Sequence, residues 1–224
     1  AIAFIRSLHI LSTNNPSCFP SLASGACLSA KSLFKQIEIR LKRLQSIAIN
    51  NQSLNLFLKD NFIPLWKRVI SENLILWPES SRDKKLDAKY RILSPSDFGF
   101  HNALLKDNKL YFLDFEYFGR DDPVKIIADF VWHPGMNLSN SQKTTWINES
   151  FKIFNKDLDI HNRFYAAWPI YGLRWSLILL NEFSKDGWQK RVYANNNLEY
   201  QQESKLESQL NKATDICMQI QKEN

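Results

Sequence analysis

The chain has 224 residues, 44% hydrophobic and 23% charged, and its 29 Lys and Arg against 23 Asp and Glu give a formal net charge of +6. This is globular composition, and the length is enough to bury a core without disulfide or metal staples. The three cysteines, Cys18, Cys27 and Cys217, form no CxxC pair, which argues against a structural zinc site and points to a reducing, cytoplasmic compartment.

The N-terminal stretch AIAFIRSLHILS carries Arg6 and His9 among its apolar residues, which is wrong for a signal peptide. The chain begins at Ala1 without an initiator Met, as expected of a fragment. Ile2, Ile5, Leu8 and Leu11 predict a helix over 1–11, and the Ser-, Asn- and Pro-rich segment 12–29 predicts a loop. Helical spacing of Leu33, Ile37, Leu41, Leu44 and Ile47 predicts a helix over 30–49. Five basic residues from Lys31 to Arg43 surround Glu38 alone; they read as a solvated helix face, with no nucleic-acid motif beside them. A further helix is expected over 53–70, started or kinked by Pro64.

The pattern then changes. Arg91 to Leu93 reads as extended, and Pro95 holds Ser94 away from helix. Strands are predicted over 103–105 and 110–115, joined into a hairpin by the polar turn Lys106-Asp107-Asn108-Lys109. Asp122 and Pro123 are a cap and first-turn pair for a helix to about Trp132, stopped by His133-Pro134-Gly135. Helices are expected over 141–155, 160–184 and 197–222. The middle one is apolar nearly all round and should be buried, whereas the last is polar and reads as a surface element. Its most apolar run, Trp168 to Leu180, carries Pro169 and Arg174 and is too short to cross a bilayer, so no membrane association is expected.

The chemistry concentrates in SPSDFGFHNALLKDNKLYFLDFEYFGRDDP. Phosphoryl transfer needs a carboxylate to orient the attacking hydroxyl, and hard oxygen ligands for the magnesium that bridges the nucleotide phosphates. Asp97 is followed five residues later by Asn102, and Asp114 comes twelve residues after that, across the hairpin. The spacing brackets a tight loop and brings Asp114 back beside it.

This segment resembles the aminoglycoside phosphotransferases, choline kinases and their relatives, whose catalytic loop reads H-x-D-x-x-x-x-N and is followed by a hairpin, an [IL]-D-[FW]-E segment and a G-D-P turn. Here the same order is carried by Pro95 to Asn102, by Leu113-Asp114-Phe115-Glu116, and by Arg120-Asp121-Asp122-Pro123. Phe4 to His9 resembles the first helix of that family's C-terminal lobe. Two departures stand out: Pro95 replaces the His two residues before the Asp, and Gly99 stands where a His often follows it.

The resemblance implies a mostly helical α+β body across 1–224, a kinase-like C-terminal lobe with a small catalytic hairpin and its core at 94–130. It implies an ATP- and magnesium-dependent phosphotransferase acting on a hydroxyl of a small molecule, with Asp97 as base and with Asn102 and Asp114 holding metal and nucleotide. The six glycines form no Gly-rich phosphate loop, so the nucleotide-gripping N-terminal lobe is expected to be missing and the chain alone inactive. The rival reading is a non-catalytic binding module that keeps the fold. His101 and His133 read as local hydrogen-bonders, Glu116 as a solvated carboxylate and Asp122 as a cap. Trp168, Tyr171 and Trp175 read as core. Arg174 is expected to pair with a carboxylate, with the substrate cleft as its other destination.

Overall fold

Local sequence signals account for most elements of the chain, described here from a computed structural model that covers residues 1–15, 21–194 and 201–223. In order they are α1 (Ile2–Asn14), α2 (Ala30–Ala48), α3 (Gln52–Leu56), a π-helical segment (Phe57–Phe62), α4 (Ile63–Leu76), α5 (Glu79–Arg82), β1 (Ile92–Ser94), β2 (Ala103–Lys106), β3 (Lys109–Phe112) and β4 (Gly119–Asp121). Then follow α6 (Pro123–Trp132), α7 (Asn140–Ile153), α8 (Ile160–Leu179), α9 (Lys185–Ala194) and α10 (Gln202–Glu223). The protein is α+β and mostly helical. Among the described residues no helix is long and apolar enough to cross a membrane. Cys18 and the expected helix start at 197 lie outside the described residues.

The chain divides into two units, Ala1–Leu33 with Leu74–Tyr171, and Phe34–Asn73 with Gly172–Asn224. In the first, α1 runs past its expected end, because the buried face is completed by Ser12 rather than by the exposed Leu11. The Ser12 hydroxyl donates to the Arg91 carbonyl at 3.1 Å and accepts from Arg120 at 3.0 Å, so its burial leaves no unpaired polar atom. β1 pairs antiparallel with β4, Leu93 opposite Arg120. Gly119 lies so close to the passing chain that a Cβ there would sit 2.4 Å from the Ala23 nitrogen, which only glycine allows. Asp122 caps α6 by accepting the Val124 N–H at 2.9 Å, with Pro123 in the first turn. Every residue of α6 is buried. Phe98 stacks on Phe4, Phe130 and Trp146 and tilts against Phe112, an aromatic centre directly beneath the loop that starts at Pro95.

Three charges in this unit are held in one buried contact. Arg163, on α8, donates to both carboxylate oxygens of Asp122 at 3.0 Å, and reaches Asp157 at 2.7 and 3.0 Å. Burial works against the guanidinium charge, but the two carboxylates more than offset it and raise the Arg163 pKa. Sequence reading singles out Arg174 as the buried cation; Arg163 is the one that carries the carboxylate pair.

In the second unit Pro64 lacks an N–H for the helical ladder and crowds the turn before it. The preceding residues Phe57–Phe62 widen into a π-helical turn, so α3, this segment and α4 replace the single helix expected over 53–70 and continue to Leu76. The helix α9 has no counterpart among the expected elements. Its sequence is polar and interrupted by Gly187, and it is held from outside: the Ser184 hydroxyl accepts the Gly187 N–H at 3.1 Å and Arg191 pairs with Glu182. α10 is not a purely surface helix, since Gln209, Ala213, Cys217 and Ile220 form a buried stripe along it. Arg174 donates to the Gln36 amide oxygen at 3.1 Å.

Replacing Arg163 by Met would leave Asp122 and Asp157 buried without their counter-charge. Arg163→Met is expected to destabilise the fold by about 3–5 kcal/mol, measured by urea denaturation.

Candidate active site

The loop after β1 is shaped by hydrogen bonds within a few residues. Asp97 donates its backbone N–H to the Pro95 carbonyl at 3.0 Å, and the residue enclosed by that bond, Ser96, has φ 70°. This is a γ-turn with a left-handed centre, the rarer and more strained form. Beyond it, Gly99 is extended, and a Cβ there would fall 2.6 Å from the His101 ring and from Met136 Sδ. Glycine therefore lets the imidazole fold back, so that His101 Nε2 lies 3.1 Å from Asp97 Oδ1. Asn102 closes the loop, its Nδ2 donating to the Asp97 carbonyl at 3.1 Å with Asp97 Oδ2 at 3.4 Å.

The hairpin then returns the chain to this loop. β2 and β3 pair antiparallel from Ala103 opposite Phe112 to Lys106 opposite Lys109. The two turn residues, Asp107 and Asn108, both have positive φ, 47° and 59°, as the favoured two-residue hairpin turn demands. The strand expected to reach 115 stops at Phe112. One more bond, Leu113 N–H to the Asn102 carbonyl at 2.9 Å, ties the outgoing chain to the end of the loop. Asp114 follows at once, in the left-handed region at φ 62°, which Asp tolerates better than most residues.

Asp114 is exposed, and its carboxylate makes no hydrogen bond among the described residues. Tyr117 reports what surrounds it: its hydroxyl pKa is raised by the Glu116 hydrogen bond and charge, and further by Asp114 and Asp97. The Leu113 bond to Asn102 places Asp114 one residue beyond a direct link to the end of the Asp97–Asn102 loop.

The Asp97 carboxyl is held below the usual carboxylate range, first by its hydrogen bond to His101, with burial opposing and the His101 and His133 charges and Asn102 assisting. His133 stacks on His101 with ring centroids 3.8 Å apart. Burial and the His101 charge push it down to about 4, so it is neutral near pH 7.

Two groups of residues offer ligands for a cation. Asn102 anchors its Nδ2 on Asp97, which leaves its Oδ1 for a ligand, and Asp114 adds an unengaged carboxylate. Two hard oxygens with room for several waters suit magnesium. The second group is Asp97, His101 and His133, with ligating atoms within 4.8 Å of one another. Here His133 Nδ1 already accepts the Gly135 N–H at 3.0 Å. The neutral ring then carries its proton on Nε2 and has no lone pair left for a metal.

Sequence reading passes over three residues around this site: Ser96, Lys125 and Asp129. A signal for the last two exists, since Lys125 and Asp129 stand four residues apart on one face of an otherwise apolar helix. No protein-family model matches the chain, and no curated protein matches it.

His101→Ala is expected to raise the Asp97 pKa toward the ordinary carboxylate value, as read by carbonyl NMR titration. A depressed folded-state pKa contributes stability above the unfolded value of 3.8 that is lost as pH falls through the folded value. The variant should therefore be less stable than the parent at neutral pH, and the difference should close on acidification through that window.

Proposed function

We propose that this chain carries the catalytic face of a magnesium- and ATP-dependent phosphotransferase that phosphorylates a hydroxyl of a small molecule. One observation carries the reading: Leu113 N–H bonds to the Asn102 carbonyl, which sets Asp114 beside a loop already closed between Asp97 and Asn102. On this reading Asp97 supplies the carboxylate base, Asn102 an amide oxygen and Asp114 a second carboxylate, the set that phosphoryl transfer to an alcohol requires.

The roles follow from the environment of each group. Asp97 is ionised at neutral pH and accepts a hydrogen bond from the acceptor hydroxyl, orienting its oxygen and receiving its proton as the bond to phosphorus forms. His101 occupies Oδ1, which directs the remaining acceptor capacity of Oδ2 toward the substrate. Asn102 Oδ1 and the Asp114 carboxylate would hold magnesium. When bound, the ion supplies positive charge against the phosphoryl oxygens. The hairpin beside the site exposes Leu104, Leu105, Leu110, Tyr111 and Leu113, an apolar surface of the kind that a nucleotide base or a covering lobe shelters from water.

Two substitutions in the full-length natural protein test this. Asp97→Asn should lower kcat by at least about 100-fold while leaving Mg-ATP affinity within about twofold, because the base acts on the acceptor rather than on the phosphates. Asp114→Asn is a better metal test than alanine, since Asn also tolerates φ 62° and only the charge is lost. It should abolish magnesium-dependent ATP binding in calorimetry, with the fold unchanged. Near-parental turnover by the Asp97 variant, on a panel of amino sugars, choline-like alcohols and homoserine, refutes the base. Unchanged Mg-ATP binding by the Asp114 variant moves the metal elsewhere.

A further inference from the structure

Lys125 is a lysine with almost no exposed surface, 1%. It projects from α6 in the first unit, and its ammonium lies 3.1 Å from Ser96 Oγ, 3.3 Å from Asp129 Oδ2 and 3.5 Å from Asp121 Oδ2. The two carboxylates neutralise a charge that would otherwise be expelled from the interior. They do not explain the third contact. Ser96 lies at the centre of the strained turn, and its own polar atoms are engaged. Its N–H donates to Ser94 Oγ at 3.1 Å and its hydroxyl donates to the Ser24 carbonyl at 2.9 Å. The lone pair left on that hydroxyl receives the Lys125 ammonium.

A serine at φ 70° has no intrinsic reason to stay there, since left-handed backbone disfavours any residue with a Cβ. Such strain persists only where the surroundings over-determine it. The next residue is Asp97, whose own N–H closes the turn on Pro95. The turn therefore sets the direction in which the Asp97 side chain leaves the backbone. A charge-assisted bond from a fixed ammonium is stronger than a neutral one, and Lys125 is anchored at both carboxylates before it reaches Ser96.

We propose that Lys125 is a positioning residue: through Ser96 it locks the left-handed turn that aims Asp97. It is too buried to meet a nucleotide phosphate, so it acts on the base from behind the loop. This role rests on the phosphotransferase reading only for its consequence in rate. The lock itself is a property of the chain and is measured without substrate.

The experiment compares Ser96→Ala, Lys125→Met, the double variant, and Lys125→Met combined with Ser96→Gly, all in the full-length natural protein. The φ angle at residue 96 is read by NMR from scalar couplings and cross-correlated relaxation. Phosphotransfer from Mg-ATP is read on the same alcohol panel. Ser96→Ala leaves the ion cluster untouched, so it decides the matter even if Lys125→Met does not fold. Residue 96 is expected to leave the left-handed region in both single variants. In both, kcat should fall about 10- to 100-fold with KM for Mg-ATP within about twofold, as for a small misplacement of a reacting group. The double variant should be no worse than the worse single, because both cut the same link. Glycine at 96 accepts φ 70° without strain, and should recover part of the rate lost in Lys125→Met; a lysine that merely stabilised the fold would not respond to it. A positive φ retained at position 96 in the Ser96→Ala variant, or losses that multiply in the double variant, overturns the proposal. Loss of the turn in a protein that transfers no phosphate in any form, parent included, upholds the lock and removes the phosphotransferase reading instead.

Discussion

Charged side chains inside a protein must find partners or neutralise, and in the first unit that constraint falls on one short stretch of chain. Asp121, Asp122, Lys125 and Asp129 are all buried, and the short stretch from the end of β4 into α6 contains them. Asp121 takes the Cys27 N–H at 2.9 Å and the Asp122 N–H at 2.8 Å on Oδ1. Among the described residues its Oδ2 makes no hydrogen bond, and the Lys125 ammonium lies 3.5 Å from it. Its carboxyl is accordingly pushed up to about 6, by burial above all, with Lys125 pulling the other way. Asp122 is met by Arg163 from α8, and Lys125 by Ser96 from the loop after β1. Satisfying these charges thus engages three remote segments, at Cys27, Arg163 and Ser96. Apolar residues of the same volume would stabilise such an interior as well or better. What they would not do is hold a polar loop in one conformation, and the loop held here is the one that carries Asp97.

Positive φ at non-glycine residues separates turn chemistry from stored strain. At Asp107 and Asn108 it is what a two-residue hairpin turn requires, and the residue types suit it. Ser96 and Asp114 are different. Neither sits in a hairpin tip, and each immediately borders a proposed site residue or is one. At Asp114 the left-handed step ends the ladder after Leu113 and turns the carboxylate out from the strand direction into solvent. At Ser96 it reverses the chain between β1 and Asp97. Both positions border the two segments that the Leu113–Asn102 bond ties together.

Much of this was legible in the sequence because it is local. The Asp97 to Asn102 loop closes on itself through an Asn side chain five residues away, and the hairpin announces its own turn, so the three site residues could be placed from spacing. The cap at Asp122 and the stop at His133 are likewise one-turn signals. What spacing could not deliver depends on partners far off in sequence. β1 finds β4 across the whole of the site loop and the hairpin, α9 is held by Ser184 and Glu182 rather than by its own pattern, and Arg163 looks no different from Arg174 until Asp157 and Asp122 come to it. Ser96 was invisible for another reason. Left-handed backbone is read from Gly and Asn, and a serine there signals nothing until the lysine behind it is seen.

Pro95 determines how the loop after β1 is supported. Proline fixes its own φ and holds Ser94 extended, which suits the end of β1, and its carbonyl receives the Asp97 N–H. It has no N–H and no polar side chain with which to brace the residues that follow. Bracing has to come from elsewhere, and the group that reaches the loop from the interior is the Lys125 ammonium at Ser96 Oγ. A cation on α6 serves this purpose only if it is kept charged in the interior, which is why two carboxylates one turn to either side belong to the same device. The aspartates at 121 and 129 act on Asp97 at third hand: they hold the lysine, the lysine holds the serine, and the serine holds the turn.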